Sequence, residues 1–191
     1  MYKKKLILIG AGGHCKSCID VIEQAGKYEI SGILDPHKNG SLLGYPIINQ
    51  DDTYIEELVK EDYYFFITIG QIKTAEKRVE IYKLLKNYKA KIATIVSPLA
   101  YVSKHSIIKE GTIIMHHALV NANATVEENC IINSKALVEH DATIHKHTHI
   151  STGAIVNGGV EVLKESFFGS GAVSKEYVKV DGFVKAGSLT K

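Results

Sequence analysis

The chain has 191 residues, 45% of them hydrophobic and 23% charged, a composition that fits one large globular domain or two small ones. A net charge of +2, with no run of Lys and Arg that would suggest a nucleic-acid stripe, implies no polyanion partner. No apolar stretch reaches the length of a membrane span, and Leu6–Ile9 is too short for the core of a signal peptide, so the expectation is a cytoplasmic protein with no membrane partner.

In chain order, Lys5–Ile9 reads as a buried strand, Gly10-Ala11-Gly12-Gly13 as a turn, and the residues to about Ala25 as a helix. A second strand over Ile30–Leu34 ends at Asp35-Pro36. Asp51–Lys60 reads as a helix opened by an aspartate cap. Tyr63–Ile69 is a third strand ending at Gly70, and Lys73–Asn87 is a long amphipathic helix. Strands alternating with helices predict a small Rossmann-like parallel sheet over residues 1–96. Three cysteines are too few for a disulfide framework. Cys15-x-x-Cys18 has redox or zinc spacing, but no second pair completes it and it falls at a helix start.

The turn Gly10-x-Gly12-Gly13 follows a strand and opens a helix, so its backbone N–H groups can face a phosphate. A dinucleotide fingerprint needs glycine where Cys15 stands, which argues against NAD; a plain tight turn is the other reading.

After Ser97-Pro98 the period changes. Stepping by six from Val102 gives Ile108, Ile114, Val120, Val126, Ile132, Val138, Ile144, Ile150, Val156, Val162 and Phe168, all large and apolar. Two residues before each of these twelve, eleven are small, from Ala100 to Ser166, with Val160 the exception. A triangular coil accounts for both columns. Each six-residue rung is one short strand and one corner, and three rungs close a turn stacked about 4.8 Å from the next. Twelve rungs predict about four turns, with the large residue of each filling the interior. The period excludes a coiled coil, whose repeat is seven. An ordinary β-sandwich with accidental phasing is the alternative.

The repeat resembles that of the hexapeptide-repeat acyltransferases. The resemblance implies a left-handed parallel β-helix over residues 97–191, a homotrimer with active sites between neighbouring prisms, and acetyl-CoA along the groove between two subunits. Ile7-Leu8-Ile9-Gly10-Ala11-Gly12-Gly13-His14, Ile33-Leu34-Asp35 and Ile67-Thr68-Ile69-Gly70-Gln71 resemble the start of the nucleotide-sugar N-acetyltransferases. These make bacterial diamino and amino-dideoxy sugars, and the sialic-acid-type O-acetyltransferases share the layout. The resemblance places a nucleotide sugar at this turn, with Gly12, Gly13 and His14 on the pyrophosphate and Asp35 on the base or ribose. Gly70 would line the same crevice at the carboxyl end of the sheet.

Seven of the nine histidines lie in the repeat. An acceptor amine or hydroxyl must lose a proton as it attacks a thioester, and imidazole titrates near neutral pH. His140 stands two residues past the inward Val138, at a corner, and is followed by Asp141, which can fix its tautomer and raise its basicity. Val138-Glu139-His140-Asp141 closely resembles the family's base motif, making His140 the proton acceptor and Asp141 its support. His149 precedes the inward Ile150 and so points outward. Thr148-His149-Ile150-Ser151 resembles the family segment that contacts the acyl donor near its thioester.

His105, His116, His117, His145 and His147 read as exposed corner residues. His145-x-His147-x-His149 brings to mind zinc, which γ-type carbonic anhydrases hold with three histidines on this fold. However, His147 falls at a corner, and no metal is expected. Position matching puts acetyl-CoA contacts at Ser170 and Ala186. Turns of about 18 residues stack His116, Ser134, Thr152 and Ser170, with Gly153 and Gly171 beside them. The segment Ala186-Gly187-Ser188 departs from the family's Gly-x-Pro-Ala tail.

The expected function is acetyl transfer from acetyl-CoA to the amino group of a nucleotide-linked amino sugar; the alternative is O-acetylation of a sialic-acid-like hydroxyl. A non-enzymatic trimeric module is the third reading, against which the His140-Asp141 pair argues. Serine acetyltransferases differ in having a helical first domain.

Overall fold

The computed structural model describes residues 3–49 and 53–191. Leu6–Ile9 is buried on both faces, as a strand inside a parallel sheet must be. This strand, β1 (Lys4–Ile9), pairs in parallel with β2 (Tyr28–Leu34) on one side and β5 (Tyr64–Ile67) on the other. The connection between β1 and β2 is α1 (Gly13–Ala25). Cys15, Cys18, Ile19 and Ile22 follow helical spacing along its buried stripe, so the two cysteines are core residues.

The three expected strands do pair in parallel, but the sheet as a whole is mixed. The chain between 37 and 50, unassigned from sequence, contributes β3 (Ser41–Leu42) and β4 (Tyr45–Ile48). These two pair antiparallel, and β4 then pairs parallel with β2. Leu43 and Gly44 both take left-handed backbone, the geometry of a two-residue hairpin turn. The expected cap Asp51 lies outside the described residues; α2 runs Tyr54–Lys60. β5 stops two residues earlier than expected, because Thr68 turns its hydroxyl onto the carbonyls of Ile9 and Gly10. α3 (Glu76–Asn87) begins three residues later than expected, and β6 (Lys91–Ile92) completes the order β3-β4-β2-β1-β5-β6.

This sheet and its helices form one compact unit, which includes the chain up to Gly70 and resumes over Glu76–Ala93. Gln71–Ala75 and Thr94–Lys191 form the second.

The second unit is a left-handed parallel β-helix of three sheets with six, six and five strands. The first face stacks Ile95–Val96, Ile113–Ile114, Ile131–Ile132, His149–Ile150, Phe167–Phe168 and Phe183–Val184. The second stacks the pairs from Tyr101–Val102 through Leu137–Val138 to Leu189–Thr190, and the third those from Ile107–Ile108 to Lys179–Val180. The predicted large column fills the interior: Ile114 through Phe168 are each 0% exposed, with Val102 and Ile108 packed against them near one end.

From Gly111 to Tyr177, each corner carries one left-handed residue three places before the inward one, including His117, Asn123, Asn129, Lys135, Asp141 and His147 at intervals of six. The coil extends past Phe168. One rung there is shortened, so that Val184 follows Val180 after four residues, and Phe167 pairs with Phe183. The shortening draws the backbone of 184–186 onto Gly169, where a Cβ would sit 2.5 Å from the amide nitrogen of Ala186.

Candidate active site

In the first unit, Gly12, Gly13, His14, Asp35 and Gly70 gather at the carboxyl ends of β1, β2 and β5. Asp35 shapes the turn: Oδ2 accepts the N–H of Ala11 at 2.9 Å and Oδ1 that of His37 at 3.0 Å. Each oxygen keeps one lone pair for a ligand hydroxyl. Lys38, which no sequence motif marks, donates to the Ala11 carbonyl at 2.7 Å. A Cβ at Gly70 would lie 3.4 Å from that of His14, in ordinary contact. A Cβ at Gly12 or Gly13 would meet nothing within 4 Å, and neither residue takes left-handed backbone. The chain's own packing therefore does not require glycine there, whereas open N–H groups at the start of α1 suit an anion. Arg78, the chain's one arginine, is buried and donates to the carbonyls of Ile67 and Ile69, fixing the strand end that leads to Gly70.

In the second unit, the corner after Leu137–Val138 presents His140 with a side chain 54% exposed. Its Nδ1 lies 2.7 Å from Asp141 Oδ2. Asn123, one turn away, donates to Asp141 Oδ1 at 2.6 Å. Glu139 is held in parallel by Asn121 at 2.7 Å and accepts the N–H of His140. The Asp141 hydrogen bond raises the imidazole above its usual range. Asp141 is held below the usual carboxylate range, first by the Asn123 amide and then by His140. Gly158, one turn on, packs under the ring: a Cβ there would lie 2.9 Å from Cε1 and 3.0 Å from Nε2. Asn123 and Gly158 were missed from sequence, although both stand 18 residues from the pair they support, the length of one turn.

Ser170 and Ala186 lie at a different corner, between the first and second faces. They are neighbours: the N–H of Gly187 bonds the Ser170 carbonyl at 2.9 Å, and both Ser170 and Ala186 are exposed. Ser170 Oγ is 2.8 Å from Ser151 Oγ. The second face separates this corner from His140.

His149 occupies an outward position on the first face, yet it is only 6% exposed. Its Nδ1 lies 2.6 Å from the carbonyl oxygen of Gln71, its Nε2 lies 3.1 Å from Asn133 Nδ2, and Phe167 meets the ring edge-on. His145 faces Glu127 at 3.3 Å, and His147 pairs with Asn129 at 2.9 Å. Three histidines in alternation thus go to three different partners, and among the described residues no group of three metal-ligating side chains converges. The thiols of Cys15 and Cys18 are both pushed up by burial, so neither offers a ready thiolate. No helix among the described residues is long and apolar enough to cross a membrane.

The family model of the PglD N-terminal domain matches residues 5–83. A comparison with curated protein sequences returns no match. Among solved structures, the acetyltransferase domain of PglB from Neisseria gonorrhoeae FA1090 is 31% identical, covering 99% of this chain and 92% of its own, with a TM-score of 0.91. The same domain in complex with acetyl coenzyme A gives 30% identity, 99% and 93% coverage, and 0.90. Perosamine N-acetyltransferase from Caulobacter crescentus, as a histidine-to-asparagine mutant in complex with CoA and GDP-perosamine, gives 25% identity, 98% and 88% coverage, and 0.91. With the β-helix, the mixed sheet before it and these relatives in agreement, the chain belongs to the hexapeptide-repeat sugar acetyltransferases, enzymes that use acetyl-CoA as acyl donor.

Proposed function

We propose that the chain transfers the acetyl group of acetyl-CoA to the amino group of a nucleotide-linked amino sugar, with His140 as general base. The observation that carries this is the corner at 139–141. An exposed imidazole is held at Nδ1 by a carboxylate, which is itself held by an asparagine, so that Nε2 is the nitrogen left to act. The acceptor nitrogen attacks the thioester carbonyl carbon, Nε2 takes the amine proton, and the carbon–sulfur bond breaks to release CoA thiolate. A base so placed accelerates such a step by about 10²–10⁴-fold.

Residues 1–96 supply the sugar-nucleotide site. The N–H groups of Gly12, Gly13 and His14 take the pyrophosphate, Asp35 the ribose or base, and Gly70 lines the crevice. GDP-perosamine and CoA in the Caulobacter relative support both ligand classes. Residues 97–191 bind acetyl-CoA through Ser170, Ala186 and the fixed wall made by His149.

The working form is a homotrimer. Support comes from the second face, whose outward residues Leu119, Leu137, Ile155 and Val173 form a half-exposed apolar column ending in exposed Leu189. That column runs between the His140 corner and the Ser170 corner, so a second copy seated on it brings one chain's base to the other's acyl-donor residues. The enzyme works in the cytoplasm, where acetyl-CoA and nucleotide sugars are available, and its product feeds surface-polysaccharide or protein-glycan assembly.

The test is release of free thiol from acetyl-CoA with UDP-, dTDP- and GDP-linked 4-amino sugars, in wild type and in His140→Ala. Turnover with one sugar, lost in the variant, is the expected result. Full activity in His140→Ala would refute the base, and silence across all amino sugars would move the acceptor to a hydroxyl such as that of a sialic acid.

A further inference from the structure

Gln71 is one of five residues that pack with the β-helix although they stand between β5 and α3 in sequence. Its side chain is buried. Nε2 donates to the carbonyls of His147 at 2.9 Å and Ser166 at 3.1 Å, with Glu165 at 3.4 Å, all at the corner between the third and first faces. Its own carbonyl oxygen lies 2.6 Å from His149 Nδ1.

The far side of the ring fixes which nitrogen carries the proton. Asn133 Oδ1 accepts the N–H of Ser134 at 2.8 Å, which orients the amide so that Nδ2 faces His149. Nδ2 is a donor, so Nε2 accepts and Nδ1–H donates to Gln71. Both sides of the imidazole specify the same neutral tautomer. Gln71 Oε1 is buried and finds no partner among the described residues. That desolvation cost is offset by the donor half of the amide, the half that grips the corner.

We infer that Gln71 is a positioning residue for His149. Its side chain anchors the strap to three corner carbonyls, and its backbone carbonyl then sets the tautomer and angle of the ring. The functional consequence rests on the proposal that His149 walls the acyl-donor site. With both ring nitrogens engaged inside the chain, His149 shapes that wall and moves no proton. Loss of the clamp therefore weakens acetyl-CoA binding and leaves the pH profile, set at His140, unchanged.

The experiment compares Gln71→Leu, which keeps the volume and removes the donors, with Gln71→Asn, which keeps the amide on a shorter arm. Long-range ¹H–¹⁵N spectra of the His149 ring are expected to show one Nδ1–H tautomer in wild type and a mixture in Gln71→Leu. The KM for acetyl-CoA is expected to rise roughly 3–10-fold, the size of one lost hydrogen bond, with kcat and its acid limb unmoved. Gln71→Asn falls between the two, and carries the test by itself if Gln71→Leu does not fold. A wild-type tautomer and KM in the folded variant would overturn the inference. A His149→Ala control separates the two claims: an unchanged KM there, beside a tautomer shift in Gln71→Leu, overturns the acyl-donor role of His149 and leaves the positioning intact.

Discussion

At His140 one hydrogen bond governs both orientation and basicity. Asp141 Oδ2, 2.7 Å from Nδ1, keeps the proton on that nitrogen and raises the ring above its usual range. The sign follows directly. Below the raised value the imidazole is protonated and cannot accept a proton, so kcat/KM climbs as pH rises through it. Asp141→Asn removes the main cause of the shift. Its acid limb is expected at lower pH than in wild type, while the plateau falls by on the order of 10²–10⁴ as the ring loses its orientation. A pH–rate series on both proteins checks this, and an unmoved limb would show that the titrating group lies elsewhere. The pair itself was legible in the sequence because the two residues are adjacent and in phase with the repeat. Asn123 and Gly158 were legible only to someone who counted one full turn in each direction. Gln71 closes a motif readable in the sequence, but its grip on the β-helix is not, since its contacts join segments that no local pattern relates.

The six-residue rung is the element from which everything in the second unit is counted. Ile132 is 0% exposed and stacks between Ile114 and Ile150 on the first face, so its side chain meets neighbours above, below and across the interior. Ile132→Ala is expected to cost roughly 2–5 kcal/mol, the range for a large aliphatic truncated in a close-packed core. The outward Thr125→Ala is expected to cost less than about 0.5 kcal/mol. Denaturant midpoints of the two variants check the contrast, and comparable losses would mean the inward and outward columns are misassigned. Period six was readable because each inward residue repeats the demand of the one before. The shortened rung at Val180–Val184 was not, because a two-residue deletion erases the phase that would reveal it. The Ser41–Ile48 hairpin was also missed: two short strands with a proline and a Leu-Gly turn offer little alternation to detect.

At the scale of the whole molecule, His140 and Asp141, the proposed catalytic pair, and Ser170 and Ala186, the proposed acyl-donor contacts, stand on different corners of one prism. A single β-helix cannot fold back on itself to join them, since each rung contacts only its neighbours along the coil. The apolar column of Leu119, Leu137, Ile155 and Val173 lies between those corners, on the face a second copy would cover. If the site is shared, two inactive proteins can repair each other. His140→Ala leaves the acyl-donor corner intact, and Ser170→Trp leaves the base intact while blocking the groove. Each alone is expected to be inactive. Co-expressed and randomly mixed, they are expected to recover activity in about a quarter of the sites, since a cyclic trimer pairs each chain's base with the next chain's corner. Wild type is expected at three times the 21.0 kDa chain mass by light scattering. Recovery at that mass requires a composite site; mixed trimers with no activity would place base and acyl donor within one chain.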